Sequence, residues 1–257
     1  MRLTLYVEGT GWVHRLDPLT KVIIAATAVV LTFILTDYLA NGAILLVSVS
    51  ILIAAGAFRR ALPVLSGVLV LAASFFVIQG LVHPGNETPF FGVGPVVFYR
   101  EGLLIGLELT LRLYNILSAT LIIVLATHPT HLVEALVRRG MSPRFGYVLM
   151  AVLQIVPTMA DRTGAIMDAQ RSRGMETEGS LWTRVKAFIP LLGPLVTSSL
   201  ISTEERALAL EVRGFGSTGK PTFLREEHIP RYAYALRWLA LAVLVGAGVA
   251  RWGFGWH

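Results

Sequence analysis

Two stretches, forty residues apart, carry residue types with a chemical use. Ala169-Gln170-Arg171-Ser172-Arg173-Gly174 and Ala209-Leu210-Glu211-Val212-Arg213-Gly214 both read Ala-x-x-x-Arg-Gly, and both close a helical pattern. Positions i and i+4 share a helix face, so the alanine leaves a smooth patch one turn below the arginine. The glycine supplies the left-handed residue that ends the helix. A guanidinium is a permanently charged fork of donors suited to carboxylates and to helix-end carbonyls. A single copy would read as an ordinary helix end, its arginine complementing the dipole by roughly 0.3–1 kcal/mol. Two copies in one polar segment point instead to a partner that is itself two-fold or pseudo-two-fold. The chemistry offered is binding.

Other candidates for chemistry are weaker. Glu108 and Arg112 stand one turn apart inside an apolar run, where charges are costly unless paired. Structural pairing explains them more simply than a substrate gate. Gly214-Phe215-Gly216-Ser217-Thr218-Gly219-Lys220 imitates a P-loop, but Pro221 stands where Ser or Thr must hold Mg²⁺, and the stretch follows a helix rather than a strand. Nucleotide hydrolysis by this chain is therefore excluded. His128 and His131 lack a third ligand and read as polar residues at a helix start. Asp161 and Asp168 lie among arginines as solvated ion pairs. No metal site and no Ser/His/Asp set is expected, and the absence of cysteine removes thiolate chemistry.

The elements that must position the two arginines are membrane spans. The chain has 257 residues, 54% hydrophobic and 15% charged, with a positive mean hydropathy. Apolar runs near 22–37, 41–57, 62–82, 102–127 and 232–250 are each long enough, with tilt or polar flanks, to cross a core of about 30 Å. Arg2, Arg15 and Lys21 precede a first run of full membrane length, so a cleaved signal peptide is not expected. Asp17 and Pro18 form a helix start, as N-cap carboxylate and first helical residue. The net charge of +6 does not argue for nucleic acid, because thirteen of the 22 basic residues lie between His128 and Arg231. Basic residues gather on the cytoplasmic side. With Arg59 and Arg60 between the second and third runs, the N-terminus is inside, the 83–101 loop outside and the C-terminus outside. Tyr232, Tyr234, Trp238, Trp252 and Trp256 are placed as interface anchors.

The expected architecture is an all-α integral membrane protein of about five transmembrane helices, with two long helices in a polar helical domain. Residues 1–127 form a four-span membrane domain, 128–231 a cytoplasmic or interfacial domain, and 232–257 the last span. A short helix runs to Arg139, and Ser142-Pro143 opens a long one reaching Arg173. The apolar stretches 145–160 and 187–201 are interrupted by Pro157, Pro190 and Pro194, which favours interfacial helices over spans.

This layout resembles the transmembrane T component of energy-coupling factor (ECF) importers of vitamins and metal ions. The resemblance covers nearly the whole chain, including Leu16-Asp17-Pro18-Leu19-Thr20-Lys21 and the two arginine stretches. It implies that the x-Arg-x signature falls on Ser172-Arg173-Gly174 and Val212-Arg213-Gly214. Ser172 stands where the family more usually has alanine. It further implies two ABC-type ATPase subunits docked on the two tips, with Arg171 assisting at the first and Ala169, Ala209 and Glu211 in support. A small substrate-binding membrane protein, the S component, would ride on the apolar surfaces around 145–160 and 187–201. The family lives in the prokaryotic cytoplasmic membrane. This chain would bind no cofactor, ATP and Mg being held by the partners. Glu134-Ala135-Leu136 with Gly140 partly fits the coupling loop of an ordinary ABC permease, which would not explain two arginine tips. A membrane-embedded enzyme built on Glu108, Arg112 and the histidines would lack a nucleophile or metal set.

Overall fold

A computed structural model of the chain describes residues 11–93, 96–175, 181–217, 223 and 230–253. In order these form α1 (Trp12–Arg15), α2 (Pro18–Ile34), α3 (Tyr38–Ala54), α4 (Phe58–Gly67), α5 (Leu69–Val82), β1 (Pro89–Val93), β2 (Val96–Tyr99) and α6 (Arg100–Ala126). There follow α7 (Pro129–Arg138), α8 (Pro143–Ser172), α9 (Leu181–Val212) and α10 (Arg231–Gly253). The chain is all-α apart from one hairpin. It divides into two compact units, residues 136–225 with the N-terminal three residues, and 4–135 with 226–257.

In the larger unit α6 is the central helix, packed by α2, α3 and α5. Leu121, Ile122, Leu125 and Ala126 of α6 bury against Val13, Leu52, Ala55, Ala57 and Ala61. Polar side chains tie the helices where lipid supplies no hydrophobic drive. The buried Asn115 donates to the Asn41 carbonyl at 3.0 Å, and Asn41 donates to the Leu35 carbonyl at 2.8 Å. Lys21 Nζ donates to the Ala126 carbonyl at 2.7 Å, which joins the start of α2 to the end of α6. Arg237 on α10 donates through Nε to Thr20 Oγ1 at 2.7 Å and pairs with Asp17. Arg251 donates to the Phe33 carbonyl at 2.8 Å. Together these contacts set α2 and α10 parallel and α6 antiparallel to α2.

Asp17 thus corrects one expectation. It sits at the N-cap of α2, with Pro18 first in the helix, but its carboxylate makes no cap hydrogen bond and is turned to Arg237 instead. With its side chain 1% exposed, a charge partner stabilises it more than a lone backbone N–H would.

By length and composition, α6 and α10 suffice to cross a membrane, and α4 with α5 form a third candidate bent by 40°. The apolar α2 and α3 have 17 residues each, about 25 Å. Two other expectations change. The 62–82 run breaks beside Gly67 and Val68, and Arg59 and Arg60 belong to the first turn of α4 rather than to a loop. The 83–101 loop contains the antiparallel pair β1–β2, with Phe91 stacked on Phe98 at 4.8 Å between ring centroids. Tyr232, Tyr234, Trp238 and Trp252 are exposed, whereas Trp256 lies outside the described residues.

The hairpin leads into the closest helix packing of the unit. A methyl group on Gly102 would lie 2.0 Å from the Gln79 carbonyl oxygen, and one on Gly106 would lie 3.1 Å from the Phe76 Cα. Glycines four apart let α5 and α6 touch by backbone. Gly102→Ala should therefore lower stability by about 3 kcal/mol. Gly42→Ala, with nothing within 4 Å, should not. Thermal unfolding of both variants in one detergent checks the contrast.

Candidate functional site

The smaller unit is built on α8 and α9. Their meeting points fix an antiparallel pairing: Tyr147 lies against Phe215 at 5.2 Å between rings, Arg162 Nη1 donates to the Ser198 carbonyl at 3.4 Å, and Ser199 Oγ meets Met159 Sδ at 3.3 Å. Met159 and Ser199 are forty residues apart, the same interval that separates Arg173 from Arg213. Each arginine consequently stands fourteen residues beyond its crossing residue, roughly 21 Å along a helix. The two tips point away from each other, on the order of 40 Å apart.

Both helices end in one hydrogen-bond pattern. At the first tip Gly174 N donates to the Arg171 carbonyl at 2.9 Å and Met175 N to the Gln170 carbonyl at 3.0 Å. At the second, Gly214 N donates to Glu211 and Phe215 N to Leu210, both at 2.9 Å. This is the Schellman arrangement, with Gly174 at φ +86° and Gly214 at φ +71°. Arg173 and Arg213 occupy the same capping position, and both are exposed. Among the described residues neither guanidinium has an acceptor. Val212 is 89% exposed, and Ala169, Ala209 and Glu211 are exposed beside the tips. Arg171 faces Asp168 at 3.8 Å, a solvated pair, and Ser172 Oγ donates to the Asp168 carbonyl at 3.1 Å. The serine hydroxyl is thereby turned back on its own helix.

A third Ala-x-x-x-Arg-Gly escaped the sequence reading. Ala135 to Gly140 ends α7 with the same bonds, Gly140 N to Val137 and Met141 N to Leu136, both 3.1 Å, and with φ +109° at Gly140. Its side chains are differently placed. Ala135 is buried, Arg138 lies 4.2 Å over the Phe223 ring, and Arg139 has a partner of its own. The motif alone is a helix stop; exposed alanine and an arginine without an acceptor distinguish Arg173 and Arg213.

The remaining candidates make local contacts. Arg112 Nη2 meets Glu108 Oε1 at 2.8 Å, and its guanidinium lies 5.2 Å from the Phe33 ring centroid. His128 Nδ1 accepts from Thr130 N at 3.3 Å, as a cap for α7, and His131 pairs with Glu134 at 3.8 Å. No group of three metal-ligating side chains exists among the described residues. Gly214–Ser217 is a turn after α9, and the rest of the P-loop imitation lies outside the described residues.

The family model CbiQ, described as "Cobalt transport protein", matches residues 9–222. The chain belongs to the CbiQ family. An energy-coupling factor transporter transmembrane protein EcfT of Clostridium kluyveri is 28% identical over 263 residues, covering 96% of both chains. Those of Bacillus selenitireducens, 32% identical over 87% of each chain, and of Bacillus subtilis, 30% over 85% of this chain and 86% of that one, bear the same name. This CbiQ-family chain is thus a transmembrane component of an ECF transporter, in a family of transporter membrane subunits rather than enzymes.

Proposed function

We propose that this chain is the coupling subunit of an ECF-type ABC importer. Arg173 and Arg213 each dock in one of two ABC-type ATPase subunits, where a guanidinium meets carboxylates or helix-end carbonyls. When the ATPases close on ATP, α8 and α9 carry the displacement to a small substrate-binding membrane protein, which reorients to import a vitamin or a metal ion. That protein lies on the exposed apolar residues of α8 and α9, such as Val148, Val152, Leu192 and Val196. Substrate choice belongs to it, and ATP and Mg to the ATPases; this chain holds no cofactor.

The observation that carries the reading is the pair of arginine tips, alike in backbone geometry, equally far from the crossing and without acceptors among the described residues. Orientation follows from charge. The bundle end that holds the start of α2 and α10 and the end of α6 carries Arg15, Lys21, Arg231 and Arg237. The segment 136–225 stands between α6 and α10 in the chain. The positive-inside bias supports a cytoplasmic position for it, in a prokaryotic inner membrane.

A pull-down of this chain from its native membrane in mild detergent, with bound proteins identified by mass, tests the proposal. Two ATPase subunits and a small hydrophobic membrane protein are expected. A soluble solute-binding protein in place of the latter would make the chain an ordinary permease, and recovery of the intact chain without any ATPase would overturn both.

A further inference from the structure

Where α8 crosses α9 the two helices form a small open cleft lined by six polar or charged residues with Ile155 and Met159. Each helix lines it at i, i+3, i+4 and i+7, from Ile155 to Arg162 on α8 and from Ser199 to Arg206 on α9. Because the helices are antiparallel, the two guanidiniums reach the cleft from opposite ends. Both are partly buried. Arg162 touches only the Ser198 carbonyl, at 3.4 Å, and Arg206 has no acceptor among the described residues. No carboxylate lines the cleft; Asp161, Glu204 and Glu205 are exposed. Thr158, Ser199 and Thr203 donate their hydroxyl protons to carbonyls of their own helices, whereas the Ser202 hydroxyl is uncommitted among the described residues. Two partly buried cations lining one cleft, with no carboxylate on it among the described residues, call for an oxyanion. Forked guanidiniums lining one cleft suit the several oxygens of a phosphate.

The residues leading to the cleft select the form of that phosphate. On α8 the 3-4 spacing runs unbroken through Phe145, Val148, Val152, Ile155, Met159 and Arg162. On α9 the same spacing runs from Ile189 through Leu192 and Val196 to Ser199, Thr203 and Arg206. One face of each helix is therefore apolar and exposed for two turns and ends in an arginine. An amphiphile with a phosphate head and an apolar tail matches that order; a free phosphate ion leaves the apolar turns unused.

We propose that the Arg162–Arg206 cleft binds the phosphate of an anionic phospholipid, with its acyl chain on those apolar turns of α8 or α9 that the small membrane protein leaves uncovered. The inference rests on the interfacial reading of the 145–160 and 187–201 stretches and on the coupling role proposed above. The lipid would hold the crossing point against the membrane surface.

The test uses the full chain with its co-purifying ATPases, loaded with phosphatidylglycerol or phosphatidylcholine in neutral detergent and read by native mass spectrometry. The wild type should retain one phosphatidylglycerol in preference to phosphatidylcholine. Arg162→Gln with Arg206→Gln should retain about tenfold less, the loss of charge-assisted bonds to one phosphate. ATPase recovery should be unchanged, which separates failure of this site from failure of the coupling reading. Should the double variant not fold, Ser202→Glu, which places a carboxylate in the cleft, should produce the same loss. Equal retention by wild type and variants would overturn the site. Displacement of the lipid by an equal concentration of inorganic phosphate would overturn the lipid as its occupant.

Discussion

Replacing Arg173 and Arg213 together by glutamate should strip both ATPase subunits from the purified complex while the chain remains in the membrane. Each tip now offers a guanidinium that has no acceptor among the described residues. Reversal turns a donor fork into a carboxylate facing the acceptors it was meant to meet. Loss of one partner of a desolvated charge contact typically costs about 2–5 kcal/mol, and like-charge juxtaposition adds to it. Two tips acting on one assembly place the double variant beyond recovery in a pull-down. Folding should be spared, because the end of each helix is set by backbone bonds from Gly174, Met175, Gly214 and Phe215, none of which uses the arginine side chain. Single variants should be weaker and not simply additive. If the double variant still brings down two ATPases, the arginines are helix ends and nothing more. Arg139→Glu is the informative comparison, since it shares the motif but has a partner of its own.

Asp17→Ala should destabilise the membrane unit by about 3–5 kcal/mol, the range for leaving a buried charge without its partner. Arg237 is 15% exposed and lies 5.1 Å from the Tyr234 ring centroid, so it cannot turn to water without disturbing α10. The change would loosen the start of α2 from α10, with Thr20 left as the guanidinium's remaining acceptor there. Arg237→Ala should cost a similar amount, and the double variant less than the sum, because it removes both charges at once. Unfolding monitored in one detergent, at matched lipid content, reads all three. Equal and additive losses would mean that the two side chains act separately.

Local features were legible in the sequence, and long-range ones were not. The helix ends at Gly174 and Gly214, the pairing of Glu108 with Arg112, and the start of α8 at Pro143 all depend on residues within one or two turns. Asp17 was read as a cap because its partner lies 220 residues away, where no pattern connects them. The break at Val68 lies inside one apolar run, where Pro63 and Ser66-Gly67 are its local signals. The β1–β2 hairpin had a signal, aromatic and β-branched residues on either side of Gly94-Pro95, but it was absorbed into a loop. The cleft was invisible because Arg162 and Arg206 read as ordinary surface charges until the crossing brought Thr158, Ser199 and Ser202 beside them. Exposure misled in another way. Leu46, Val70 and Val82 face outward, as lipid permits, so apolar periodicity marks spans without marking which side packs.

The contact of Met159 with Ser199 has a mechanical side. It makes the pair a lever with two equal arms, the fulcrum lying midway between the loads. Under the proposed coupling role, equal and opposite forces applied at Arg173 and Arg213 across the line that joins them would form a couple without net thrust on the crossing. A polarizable thioether against a hydroxyl is a soft bearing, easily re-seated as the angle opens. A displacement of one tip alone would drag the pivot sideways, so such a device rewards synchrony between its two ends.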